Sequence, residues 1–226
     1  GPSRSVQSGA ISASDMRKAL VIFVALCLLS GLTLLYVAFG WNWNALAFFF
    51  GLGVLSILAA MAYTVGNKPY GYMGLGDLSV FVFFGLVGVM GSFYLFTQQV
   101  SGWELLPAIS CGMFSIGVLN INNIRDIESD KAAGKFSIPV RIGRRSAVIY
   151  HWFLLGSGIS ATLIYSVWNY RSPWQLLYLI SIPLFIRNAH AVATRESSEL
   201  DPYLKQMALS TLLFGLLFGI GLVIQD

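Results

Sequence analysis

Seven apolar runs of about twenty residues leave this chain few ways to fold. They cover residues 17–39, 44–63, 78–97, 104–124, 146–168, 174–192 and 206–224. Each is about long enough to cross a hydrocarbon core of ~30 Å as a helix. Inside lipid a backbone must satisfy its own hydrogen bonds, and a run without alternating polarity does so as a helix. The charge content agrees: 11% of residues are charged, against about a quarter in an ordinary soluble domain. The expected fold class is an all-α integral membrane protein with seven transmembrane helices in this chain.

The connectors alternate in character. Residues 1–16, 64–77, 125–145 and 193–205 are longer and polar, whereas 40–43, 98–103 and 169–173 are short and flanked by Trp41, Trp43, Trp103 and Trp174. Tryptophan at such turns marks the membrane interface, and an excess of Lys and Arg marks the cytoplasmic side. All Lys and Arg except Arg171 fall on the long-loop side, so those loops are expected to face the cytoplasm. The net charge of +4 is thereby accounted for by membrane edges and gives no reason to invoke nucleic acid. Cys27 and Cys111 lie inside apolar runs, which suits buried small hydrophobes better than a disulfide.

Local signals punctuate the spans. Ser12 with Asp15 reads as a capping box before the first, Pro107 falls in the first turn of the fourth, and Pro183 is expected to kink the sixth. Gly85, Gly88, Gly91, Gly215 and Gly219 read as small residues that let helices approach. His151 and His190 read as packing or surface residues.

The chemistry concentrates in the stretch from Asn120 to Arg145, NINNIRDIESDKAAGKFSIPVRIGRR. Continued as a helix, Asn122, Asp126 and Asp130 recur every four residues, about 40° apart per step and roughly 6 Å apart in rise, so they share one face. Asn123 lies at its edge, and Glu128 falls about 200° round from Asp126, toward solvent. Two aspartates spaced i, i+4 repel one another, an arrangement that makes sense around a cation. Oxygen ligands without His or Cys suit a hard ion, and Mg²⁺ held by one or two carboxylates commonly also binds substrate phosphates. The bland alternative is a solvated, salt-bridged loop.

Other polar stretches add to this. YTVGNKPYGYMGLGD, residues 63–77, offers Lys68, the tyrosines Tyr63, Tyr70 and Tyr72, four glycines and Asp77. Asp77 sits where a helix begins and reads either as an N-cap or as a functional carboxylate. Arg125, Lys131, Lys135 and Arg141 surround the aspartates, and the opening GPSRSVQSGAIS supplies Arg4 and Gln7. Carboxylates for Mg²⁺ with cations from several loops, at one end of a helical bundle, suit a diphosphate head group whose tail lies among apolar helices.

These residues resemble a known family. NINNIRDIESDKAAGKFSIPVRIG is similar to the second aspartate motif of the UbiA superfamily of intramembrane prenyltransferases. Within it the branch acting on 1,4-dihydroxy-2-naphthoate in menaquinone biosynthesis has Asn at the motif's first position, as Asn122 is here. YTVGNKPYGYMGLGD resembles that branch's loop between its fourth and fifth helices, and GPSRSVQSGAIS the stretch after its first aspartate motif. The resemblance covers essentially all of residues 1–226 as a single transmembrane prenyltransferase domain. It implies nine helices around a cavity open to the cytoplasmic side, of which the seven spans would be the third to the ninth. Two helices and a first aspartate motif would precede Gly1. A multi-pass protein of the bacterial cytoplasmic membrane is implied.

The implied reaction transfers a polyprenyl group from its diphosphate to 1,4-dihydroxy-2-naphthoate, releasing CO₂ and diphosphate and giving demethylmenaquinol. Asp126, Asp130 and Asn122 would hold Mg²⁺. Arg4, Gln7, Lys68, Tyr70, Tyr72, Asn123, Lys135 and Arg141 would contact substrate. Tyr63 would stabilise the allyl cation, and Asp77 would orient or deprotonate the acceptor. Three alternatives stand beside this: a prenyltransferase for 4-hydroxybenzoate, a non-catalytic prenyl-lipid binder, and a transporter. Transporters place ionisable groups near the midplane, whereas here the charges gather at the ends of the spans.

Overall fold

The computed structural model describes residues 9–66 and 69–224, all helical or irregular with no strand among them. Seven helical segments in it are long and apolar enough to cross a membrane. The chain divides into two compact units, residues 1–66 and 67–226.

The first unit holds α1 (Ala13–Phe39) and α2 (Trp43–Thr64). Ser12 caps α1 as expected: its hydroxyl oxygen accepts the Asp15 backbone N–H at 3.0 Å, while its O–H donates to the Asp15 carboxylate at 2.7 Å. Asn42 caps α2 by accepting from the Ala45 N–H at 3.2 Å. The two helices pack together with the Phe39 and Phe49 rings 5.2 Å apart. Leu35 is the one buried residue in α1 and α2 has none. Helices that are apolar all round suit a lipid surrounding.

The second unit opens with a 3₁₀ turn, Tyr70–Met73. The next span is α3 (Gly76–Val80), a π-helix (Phe81–Met90) and α4 (Gly91–Thr97). Then follow α5 (Leu105–Arg125), short α6 (Ile127–Ala132) and long α7 (Ile138–Trp168). A 3₁₀ segment, Pro173–Ser181, runs into α8 (Ile182–Thr194), and α9 (Asp201–Val223) closes the unit. The sixth span changes from 3₁₀ to α at Ile182, directly before Pro183. Proline has no N–H to continue the preceding ladder but suits a first helical turn.

α5 is the central element. Phe114, Ile121 and Ile124 from it pack with Ala147 and Leu155 of α7, Phe185 and Val192 of α8, and Met207 and Phe214 of α9. Phe114 stacks on Phe185 at 4.6 Å and meets Phe214 edge-on at 4.9 Å. Polar groups fasten the same helices. The buried His151 Nε2 lies 3.1 Å from Asn188 Oδ1, and Asn188 Nδ2 donates to the Tyr203 carbonyl at 2.8 Å. His151 therefore has the packing role expected of it, through hydrogen bonds that join α7, α8 and α9, and His190 is exposed.

Glycine spacing in the sequence named some close contacts correctly and missed others. A Cβ at Gly85 would lie 2.7 Å from the Ala108 carbonyl oxygen and 2.9 Å from Gly112 Cα, so the π-helix touches α5 backbone to backbone. At Gly215 and Gly219 a Cβ would meet nothing within 4 Å; the tight contact of α9 is at Gly221, against the Trp174 carbonyl.

The segment expected as one polar loop over 125–145 is mostly helical. α5 stops at Arg125, Asp126 has φ −98° and ψ 12°, and α6 and α7 follow, with a break in α7 at Gly143 (φ 77°). The continuous helix assumed through Asn122, Asp126 and Asp130 is thus interrupted at its middle member. The four-residue rhythm survives in the hydrogen bonds, since Asp126 N–H reaches the Asn122 carbonyl at 3.1 Å and Asp130 N–H the Asp126 carbonyl at 2.7 Å.

Candidate active site

The break at Asp126 builds the first half of the site. Adjacent residues on a regular helix do not face one another, but the altered backbone lets Arg125 turn onto its own neighbour. Arg125 Nε donates to Asp126 Oδ1 and its Nη2 to Asp126 Oδ2, both at 2.8 Å, a bidentate pair. The same Nη2 donates to Asn122 Oδ1 at 2.8 Å, and Nη1 to the Asp201 carboxylate at the start of α9. The guanidinium thus holds the Asp126 carboxyl below the usual carboxylate range, against the opposing effect of burial.

The second half comes from how α6 ends. Gly134, at φ +70°, follows the helix. Its N–H reaches the Lys131 carbonyl at 3.1 Å, and the Lys135 N–H reaches the Asp130 carbonyl at 2.8 Å. This is the Schellman pattern, in which a left-handed glycine folds the next residue back over the last turn. It carries the Lys135 side chain onto Asp130 Oδ2 at 2.7 Å and Asn123 Oδ1 at 3.2 Å. Asp126 and Asp130 are 20% and 13% exposed at their side chains, neither fully solvated nor sealed. Glu128 is exposed, as expected.

The donor set fits a hard divalent ion. Among the described residues no group of three or more His, Cys, Asp or Glu converges, so a metal here would rely on the two carboxylates, amide oxygens and substrate phosphate. Asp126 and Asn122 oxygens already close together on one guanidinium, and Asp130 and Asn123 oxygens on one ammonium. Each carboxylate is thus gathered with one amide oxygen on its own side-chain cation, and the Asp126 carboxyl is held ionised; oxygen ligands of this kind are those a hard divalent ion takes.

The second loop docks beside this one. Phe136 N–H donates to the Tyr72 carbonyl at 2.8 Å. Arg141 donates from Nε to the Phe136 carbonyl at 3.0 Å and from Nη2 to the Met73 carbonyl at 2.8 Å. Gly74, at φ +82°, leaves room for this, since a Cβ there would lie 2.8 Å from the Phe136 oxygen and 2.9 Å from Arg141 Nε. Arg141 therefore stitches two loops together through their carbonyls. Tyr70 O–H pairs with Ser79 Oγ at 3.0 Å.

Asp77 is not a helix cap. It lies within the first turn of α3, is 7% exposed, and its Oδ2 accepts the O–H of Tyr150, from α7, at 2.9 Å. Tyr63 is half-buried at the end of α2, in the first unit. Arg4, Gln7 and Lys68 fall outside the described residues. Sequence reasoning noted Arg125 only as one cation among several and missed Tyr150 and Asp201. Nothing in the spacing joins Tyr150 to Asp77, and the Arg125 contact depends on the helix break. Toward the opposite ends of α5 and α7, an apolar cavity of about 210 Å³ is lined by Pro107, Phe114, Thr162, Phe214 and Phe218.

Fold and site together define a polytopic helical membrane protein with an oxygen-rich, cation-balanced acidic cluster where its spans meet polar loops. The chain belongs to the UbiA prenyltransferase family, whose pattern it matches over residues 1–212. It is 45% identical over 225 residues to the 1,4-dihydroxy-2-naphthoate octaprenyltransferase of Haemophilus influenzae, covering 99% of this chain and 73% of that protein. The Escherichia coli protein of the same description is 42% identical over 230 residues, covering 100% and 73%. A 2-carboxy-1,4-naphthoquinone phytyltransferase of Synechocystis is 31% identical over 135 residues, covering 58% and 43%.

Proposed function

We propose that this chain transfers a polyprenyl group from polyprenyl diphosphate to 1,4-dihydroxy-2-naphthoate, releasing diphosphate and CO₂, in menaquinone biosynthesis. The observation that carries the reading is similarity along the whole chain to proteins described as naphthoate octaprenyltransferases. The phytyltransferase relative supports a naphthoid acceptor with a different donor.

Asp126, Asp130 and Asn122 are the residues for Mg²⁺, which when bound would neutralise the diphosphate leaving group. Lys135, which stands next to Asp130 and Asn123, is assigned to take a phosphate oxygen, with Asn123 beside it. Arg141 fixes the position of the loop bearing Tyr70 and Tyr72 relative to Lys135; Lys68, Arg4 and Gln7, which lie outside the described residues, are assigned as further substrate donors. Tyr63 offers an aromatic face to the allyl cation. Asp77, fixed by Tyr150, is assigned to orient the acceptor hydroxyl or take its proton. The apolar spans exclude water, which would otherwise quench the cation.

The positive-inside pattern supports a cytoplasmic mouth in a bacterial inner membrane. The seven spans are read as the third to ninth of the family's nine within one prenyltransferase domain. Membranes containing the protein, given Mg²⁺, a polyprenyl diphosphate and 1,4-dihydroxy-2-naphthoate, should form the prenylated quinol with release of CO₂ and diphosphate. Product from 4-hydroxybenzoate and none from the naphthoate would overturn the acceptor assignment.

A further inference from the structure

At the same end of the second unit, the last turns of α8 and the start of α9 enclose a polar pocket of about 420 Å³ that the proposed reaction does not use. Arg187, His190, Arg195, Glu196, Glu199 and Tyr203 line it. Arg187, His190 and Thr194 recur at i, i+3 and i+7 and are exposed, whereas Phe185, Asn188, Ala189, Ala191 and Val192 of the same helix are buried in the bundle. The stripe therefore faces outward.

Depth along the span says what surrounds it. With about 2.0 Å of rise per residue through the 3₁₀ segment and 1.5 Å through α8, Arg187 lies roughly 26 Å from Pro173. A hydrocarbon core is about 30 Å thick, so Arg187 reaches the boundary where acyl chains meet headgroup phosphates. Exposed Ile186 beside it continues the apolar surface.

The charges in the pocket are unequally committed. Glu196 and Glu199 cap their own 3₁₀ turn, each side chain accepting from the other's backbone N–H. The Arg195 carbonyl accepts from Arg144, and Thr194 Oγ1 donates to the His190 carbonyl. Among the described residues, however, neither the Arg187 nor the Arg195 guanidinium carries a hydrogen bond or ion pair. A guanidinium fork matches the oxygens of a phosphate, and basic pockets at the membrane face of helical bundles suit lipid headgroups.

We infer that this pocket seats the phosphate of an anionic phospholipid, gripped between Arg187 and Arg195, with the acyl chains running down the outer face of α8. The shared chemistry is a phosphate with apolar chains attached; the outward aspect and the depth select the lipid over a free anion.

The experiment is native mass spectrometry of the protein released from detergent with phosphatidylglycerol, phosphatidylcholine or inorganic phosphate. The unaltered protein should retain phosphatidylglycerol over phosphatidylcholine. Arg187→Gln combined with Arg195→Gln should lower that retention on the order of tenfold, whereas Lys131→Gln with Arg145→Gln, the same charge loss elsewhere, should leave it unchanged. Should the double variant fail to fold, Arg187→Lys preserves charge without the fork and should lower retention by a smaller factor. Equal retention in the Arg187/Arg195 variants, or displacement of the lipid by millimolar inorganic phosphate, would overturn the inference. So would an equal loss in the Lys131/Arg145 control, which would make the effect one of net charge.

Discussion

Two sets of carboxylates in this molecule are kept in opposite conditions. Asp126 and Asp130 stand part-exposed, each against a cation, with Arg125 closing on one and Lys135 on the other. Asp77 is buried, and the partner that fixes it is the neutral O–H of Tyr150. A carboxylate balanced by charge is equipped to exchange one cation for another. One that is buried and held by a hydroxyl is equipped to accept or orient a proton. The contrast suits the proposed reaction, in which a diphosphate would be neutralised at one point and an aromatic hydroxyl addressed at another.

Asp126→Asn or Asp130→Asn should lower turnover about 100- to 1,000-fold, the scale expected when one stabiliser of a developing charge is lost, and should shift the Mg²⁺ titration. Unchanged Mg²⁺ dependence would remove the metal role. Asp77→Asn should cost about 100-fold, confined to kcat/KM for the naphthoate with the KM for prenyl diphosphate unmoved; equal effects on both substrates would erase the distinction between the two sets. Tyr150→Phe should act in the same direction by about tenfold, the weight of one hydrogen bond to a charged group, with the pH–rate profile displaced.

Gly134→Ala forces a Cβ into a left-handed position, a cost of about 1 kcal/mol. It should weaken prenyl diphosphate binding by a few fold while leaving the naphthoate KM alone, because only the Lys135 side depends on that turn. Glu128→Gln, on the exposed side of α6, should change kcat/KM for either substrate less than about twofold, and a large loss there would mean the acidic face has been misplaced.

Much of this was legible in the residues. The ~20-residue apolar runs dictated seven helices because lipid offers a backbone no other hydrogen-bond partners, and the spacing of Asn122, Asp126 and Asp130 pointed to an oxygen-rich acidic cluster. The i, i+4 pattern nevertheless assumed an unbroken helix. The turn at Asp126, which gives Arg125 access to its neighbour, left no mark that spacing could register.

The helical class, the span count and the acidic cluster could be read from the residues alone, since each follows from local composition and short-range periodicity. Tertiary structure alone decided that Tyr150 meets Asp77 across 73 residues, that Arg125 reaches Asp201, and that Arg141 staples Met73 to Phe136. It alone also decided that α9 touches its neighbour at Gly221 and not at Gly215 or Gly219. Those contacts depend on how helices are rotated and offset against one another, which packing of the whole unit fixes and no single segment encodes.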